Sequence, residues 1–128
     1  MGNNITILIV DDNATMRRII RHILEHAGYI NIIEDSDGAT AFKIVKSQKI
    51  DLIISDWNML GMTGIEFLRK VREDNEVGKT PFLMVTVEGL EVSRETAFQC
   101  GVSGFIAKPF HVNDLLEKVE KVLEDSST

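Results

Sequence analysis

Apolar positions along the chain follow two rhythms. Short, nearly unbroken runs rich in β-branched residues, Ile5 to Val10, Leu52 to Ile54 and Phe82 to Thr86, stop abruptly at polar residues, as strands buried on both faces do. Between them apolar residues recur three and four apart. Met16, Ile19, Ile20, Ile23, Leu24 and Ala27 make one such stripe, with Asn13 as N-cap and Gly28 as stop. Ile30 to Glu34 reads as a shorter strand, and Asp37-Gly38 leads into a helix that buries Ala41, Phe42 and Val45 and ends near Lys49. Thr63 and Glu66 have the spacing of a capping box at the head of a helix carrying Phe67, Leu68 and Val71. A helix is expected from about Ser93 to Gly101, then a strand from Gly104 to Ala107 closed by Lys108-Pro109. Leu115, Leu116, Val119, Val122 and Leu123 give the last helix its stripe, with Glu117 and Lys121 placed to pair one turn apart.

Strands alternating with helices over short connections predict an α/β fold, because each parallel neighbour in a sheet needs a crossover. At 128 residues, with no linker or repeat, the chain is expected to be one domain, 1–128. Its composition, 44% apolar and 27% charged, excludes a disordered tail, and no apolar run reaches the length of a membrane span. The net charge of −6 argues against binding nucleic acid or anionic lipid through bulk charge. A single cysteine, Cys100, and no signal segment before the first apolar run predict a cytoplasmic protein; Cys100 itself reads as a small buried group.

In parallel sheets ligands bind beyond the carboxyl ends of the strands. Those ends carry Asp11 and Asp12, Asp56, Thr86 and Lys108. Crowded carboxylates repel one another, raising at least one pKa unless a cation joins them, so an oxygen-rich Mg²⁺ site is the natural solution. A zinc site is not expected: His22 and His26 are four apart on the first helix and His111 is remote, with no third nitrogen or sulfur ligand evident.

The segments Val10-Asp11-Asp12, Thr15-Met16-Arg17-Arg18, Ser55-Asp56-Trp57-Asn58-Met59, Met84-Val85-Thr86 and Lys108-Pro109-Phe110 together resemble the receiver domain of bacterial two-component response regulators. The resemblance covers essentially the whole chain and is closest to the single-domain chemotaxis branch. It implies a flavodoxin-like (βα)5 doubly wound sheet with strand order 2-1-3-4-5. It also implies that Asp56 is the phosphoacceptor, attacking a phosphohistidine on a partner kinase, and that Asp12, Asp56 and the backbone carbonyl of Asn58 ligate Mg²⁺ directly, with Asp11 acting through water. Lys108 would supply an ammonium to the phosphoryl oxygens, and Thr86 would bond one of them once Asp56 is modified. Phe105 would then turn inward as the switch aromatic, and Lys108-Pro109 would be a cis peptide.

Four positions depart from the family pattern. Leu60 stands where Pro is usual, Val87 where Ala or Gly is preferred after the switch Thr, and Phe105 where chemotaxis members carry Tyr. Leu90 and Glu91 stand where enteric chemotaxis members carry an early lysine pair of helix 4. The reading is a signalling switch that catalyses only its own phosphorylation and dephosphorylation. Its expected partners are a chemotaxis-type histidine kinase, a flagellar motor switch protein or other protein output, and a phosphatase, with no nucleic acid, no membrane and a monomeric state. A stand-alone phosphorelay intermediate or phosphate sink keeps the same chemistry in a different role. A flavin carrier would need a Ser/Thr/Gly-rich loop where Asp11-Asp12 stand, and a haloacid-type phosphatase a second Asp where Asn13 stands.

Overall fold

The computed structural model describes residues 4–59, 61–87 and 91–126, with the backbone alone for 91–93. Its elements alternate as β1 (Thr6–Val10), α1 (Ala14–His26), β2 (Asn31–Asp35), α2 (Gly38–Ser47), β3 (Leu52–Ser55), α3 (Gly64–Glu73), β4 (Phe82–Val87), α4 (Glu91–Gln99), β5 (Gly104–Lys108) and α5 (Val112–Ser126). The strands form one parallel sheet in the order β2-β1-β3-β4-β5, a flavodoxin-like (βα)5 arrangement.

Side chains of a strand alternate between faces, so β1 feeds two cores. Leu8 and Val10 join Ile53, Phe67, Phe82 and Met84 beneath α2 and α3. Ile7 and Ile9 join Ile20, Leu24, Ile54, Leu83 and Val119 beneath α1 and α5. Both sets are almost fully buried, which is why the strands read as continuous apolar runs rather than as alternating ones.

The predicted caps form. The Asn13 side chain accepts from the Met16 N–H, and Gly28 takes φ 100°, the left-handed turn that stops α1. Thr63 and Glu66 complete their capping box. Helix α4 starts at Glu91, two residues before the predicted start, because its few apolar positions leave the first turn unmarked. Strand β2 is displaced by one residue, α2 ends at Ser47 rather than near Lys49, and β4 and β5 each run one residue further. No ion pair joins Glu117 to Lys121. An exposed pair of this kind gains only about 0.3–0.5 kcal/mol, little against the entropy of fixing two long side chains.

At the amino ends of β4 and β5 one guanidinium makes four bonds. Arg72 donates to the carbonyls of Gly101 (2.8 Å), Gly78 (3.0 Å) and Thr80 (2.6 Å), and to Ser103 Oγ (3.3 Å). Ser103 Oγ in turn accepts from the Phe82 N–H at 3.0 Å. Burial lowers the Arg72 pKa, and the cation is held by dipoles alone, with no carboxylate in the clasp.

Candidate functional site

Parallel register brings the expected residues to one edge. Val10 pairs with Ser55 and with Asp35, so the next residues of β1 and β3, Asp11 and Asp56, leave the sheet side by side. Their backbones stay tied to it: Asp11 N–H donates to the Asp35 carbonyl (3.1 Å) and Asp56 N–H to that of Val10 (3.0 Å). Val87 lies opposite Lys108 in the β4–β5 ladder, which delivers the lysine to the same edge.

Ligand oxygens of Asp11, Asp12 and Asp56 all lie within 4.8 Å of one another. Asp11 and Asp56 are 2% and 8% exposed, whereas Asp12 faces solvent. Lys108 Nζ stands 3.2 Å from Asp11 Oδ2 and 3.6 Å from Asp56 Oδ1. The Asp56 carboxyl also accepts from the Trp57 N–H at 2.8 Å, and Asp11 accepts from the Asn13 N–H at 2.9 Å. Burial, first of all, holds the Asp56 pKa above the ordinary aspartate value; the negative charges of Asp11 and Asp12 act in the same direction, against Lys108 and the Trp57 N–H. Three carboxylates with one ammonium beside them among the described residues, Asp56 disfavouring its own charge, fit a small hard cation. Asn58, two residues beyond Asp56, is exposed at this edge.

Thr86 is completely buried, and its Oγ1 has no hydrogen-bond partner among the described residues. A buried hydroxyl without a partner costs about 1–3 kcal/mol. Thr86→Val, which keeps the shape and removes the hydroxyl, should therefore raise the urea midpoint of the unmodified protein; a lower midpoint would mean that the hydroxyl is satisfied in solution. Phe105, 8% exposed, already lies in the same apolar cluster as Met84, Ala97 and Val102, where the resemblance has it turning inward later. Without the hydroxyl of a tyrosine, burial leaves this ring no polar group to satisfy. Lys108-Pro109 is cis.

Three further residues, to which the sequence assigned no role, shape the site. Arg17 donates to the Asp11 carbonyl (2.5 Å) and pairs with Glu34 (3.2 Å), which also holds Arg21 (2.8 Å). Ser55 Oγ donates to the Asp56 carbonyl at 2.9 Å. Gly64 presses the head of α3 onto the acceptor loop: its N–H donates to the Trp57 carbonyl at 2.7 Å, and a Cβ there would stand 2.1 Å from the Asp56 carbonyl oxygen. Leu60, Glu88 and Leu90 lie outside the described residues, as does the side chain of Glu91. Cys100 is half-buried rather than buried, with its Sγ accepting from Arg69 Nε at 3.3 Å.

A carboxylate cluster, a lysine and a buried threonine thus lie together at the carboxyl edge of an open parallel sheet. Residues 7–120 match the model of the response regulator receiver domain, and the chain belongs to that family. It is 48% identical over 118 residues to the chemotaxis protein CheY of Pseudomonas aeruginosa, a match covering 92% of this chain and 95% of that one. The solved structure of the chemotaxis response regulator CheY4 of Vibrio cholerae superposes with a TM-score of 0.85 at 35% identity, over 92% of this chain and 98% of that one. The receiver domain of a Pseudomonas aeruginosa sensor histidine kinase, described with a magnesium ion coordinated in its active-site cleft, superposes with a TM-score of 0.84 at 26% identity, over 93% and 97%. Among the described residues no helix is long and apolar enough to cross a membrane.

Proposed function

We propose that this receiver domain is a phosphorylation-activated chemotaxis switch that takes a phosphoryl group on Asp56 from a histidine kinase and passes the signal on by binding a protein, a component of the flagellar motor switch. The observation that carries the reading is the placement of buried Asp56 between two further carboxylates and Lys108. The names of the chemotaxis relatives support the pathway.

In the transfer, an Asp56 carboxylate oxygen attacks phosphorus, the P–N bond of the donor phosphohistidine breaks, and the leaving imidazole takes a proton. Asp56 is oriented for this by the Trp57 N–H on one oxygen. Lys108, within reach of both Asp11 and Asp56, can follow the incoming charge onto a phosphoryl oxygen without leaving the site. Asp11, Asp12, Asp56 and the Asn58 carbonyl would hold Mg²⁺, which when bound neutralises the carboxylates and the phosphoryl oxygens. The Thr86 hydroxyl, lacking a partner, is free to donate to the modified Asp56, and its movement would loosen the packing beside Phe105. Turnover of external phosphoesters is not expected.

Incubation with acetyl phosphate and Mg²⁺ should add one phosphoryl group mapping to Asp56. Chemotaxis output is tested by pull-down of a flagellar switch protein in the two phosphorylation states, and equal capture would sink that part of the reading. Trp57, half-buried beside the acceptor, should report Mg²⁺ by quenching, and Asp12→Ala should abolish the quench; a parent-like titration curve would remove Asp12 from the ligand set. Val87 is 56% exposed next to Thr86 and opposite Lys108. Its stiff β-branched side chain narrows the approach, so Val87→Ala should speed both labelling and dephosphorylation by roughly 2- to 10-fold. Unchanged decay of the Trp57 signal after donor removal would contradict this.

A further inference from the structure

Helix α1 carries His22 and His26 one turn apart on its solvent face, both exposed. Their Nε2 atoms are 3.1 Å apart, with ring centroids 4.5 Å apart and planes inclined by 58°. Two nitrogens at this separation can share a proton, or they can hold one cation. An ion bonded to each imidazole at about 2.0–2.1 Å, with roughly 90–110° between the bonds, sets its two nitrogens about 2.9–3.4 Å apart. The observed separation falls inside that window.

We propose that His22 and His26 form a two-imidazole chelate for a divalent first-row transition metal, binding Cu²⁺ ahead of Ni²⁺ and Zn²⁺ as imidazole donors do. Chelation would replace a solvent-exposed contact between two rings. The site differs in kind from the acidic edge. Mg²⁺ seeks oxygen and shuns a pair of nitrogens, so the two sites sort cations by softness. Among the described residues the trio of Asp11, Asp12 and Asp56 is the one group of three or more such ligands, so the histidine pair is not a closed zinc site. Its remaining positions are left to water or to an incoming donor. Arg18, exposed one turn before His22, opposes a cation; Arg21 does so less, its charge being engaged by Glu25 and Glu34. His26 is the last residue of α1, so a bound ion would staple the terminal turn of the helix.

The test titrates CuCl₂, and separately ZnCl₂, into the full chain in saturating Mg²⁺, followed by calorimetry and by amide exchange of α1. One Cu²⁺ should bind more tightly than Zn²⁺ and slow exchange in the last turn of the helix. His22→Gln and His26→Gln should each weaken binding by roughly a hundredfold, because losing either arm turns a linked pair into a single ligand, and the double variant should lose binding at this site altogether. Both rings are exposed, so the variants should melt as the parent does, and His111→Gln should bind as the parent does. Parent-like affinity in either single variant would overturn the proposal, as would Cu²⁺ that excess Mg²⁺ displaces, since that ion would sit on the carboxylates.

Discussion

Asp56→Asn should accept no phosphoryl group from either a histidine kinase or acetyl phosphate, and it should be more stable than the parent at neutral pH. The first effect follows from the loss of the nucleophilic oxygen, the second from what burial does to the carboxylate. In the folded protein the Asp56 pKa lies above its ordinary value, through burial first and the charges of Asp11 and Asp12 next. The fold therefore holds the proton more tightly than the unfolded chain does. Stability from this group is complete below the unfolded value of about 4, and is lost as pH rises through the raised folded value. Asparagine does not titrate, so the gap in Tm between variant and parent should be small near pH 4 and widen towards neutrality. Each kcal/mol relieved is worth roughly 3–6 °C in a chain of this size. Saturating Mg²⁺ should narrow the gap again, since a cation held by three carboxylates stabilises the parent more than the variant, which keeps two. Parent-level labelling of the variant would refute the acceptor assignment, and a lower Tm at neutral pH would refute the electrostatic account.

The largest structural effect is expected from one methyl group. Gly64→Ala would place a Cβ 2.1 Å from the Asp56 carbonyl oxygen and 2.9 Å from Trp57 Cα. Both obstacles are backbone and cannot swing aside, so either α3 must lift or the acceptor loop must move. Lifting α3 loosens Phe67, Leu68 and Val71, each fully buried, together with the edge-to-face contact of Phe67 and Phe82 at 5.4 Å. Overpacking of this sort costs about 1–3 kcal/mol or more. Moving the loop instead shifts Asp56 relative to Asp11 and Lys108, and an error of about 1 Å in such a site can cost a hundredfold in rate. The variant should therefore show a clearly lower urea midpoint, slower labelling by acetyl phosphate and a weaker Mg²⁺ response of Trp57. Parent-like values of all three would mean that the contact relaxes at no cost.

That missing methyl group also marks where the sequence stops being legible. Asp11, Asp12, Asp56, Thr86 and Lys108 were legible because each closes an apolar run, and parallel strands deliver all their carboxyl ends to one edge. Caps were legible because Asn13, Thr63 and Glu66 act within a few residues of themselves. Gly64 offers no comparable signal: its constraint is the backbone of residues 56 and 57 across a loop, which only the folded chain places against it. Arg17 stood in a segment that carried the family resemblance but had no role there, and its bond to the Asp11 carbonyl depends on how α1 settles over the end of β1. That Thr86 Oγ1 finds no partner among the described residues likewise belongs to packing, not to its neighbours in the chain.

The Arg72 clasp gives the sheet a mechanical asymmetry. It rivets the loops entering β4 and β5 at Gly78, Thr80, Gly101 and Ser103, while Thr86, Val87 and Lys108 lie at the far ends of the same two strands. A pair of strands pinned at one end behaves as a lever with its fulcrum at the guanidinium. Small forces applied where Asp56 meets Lys108 would be spent on displacement at the free tips, leaving the riveted end still.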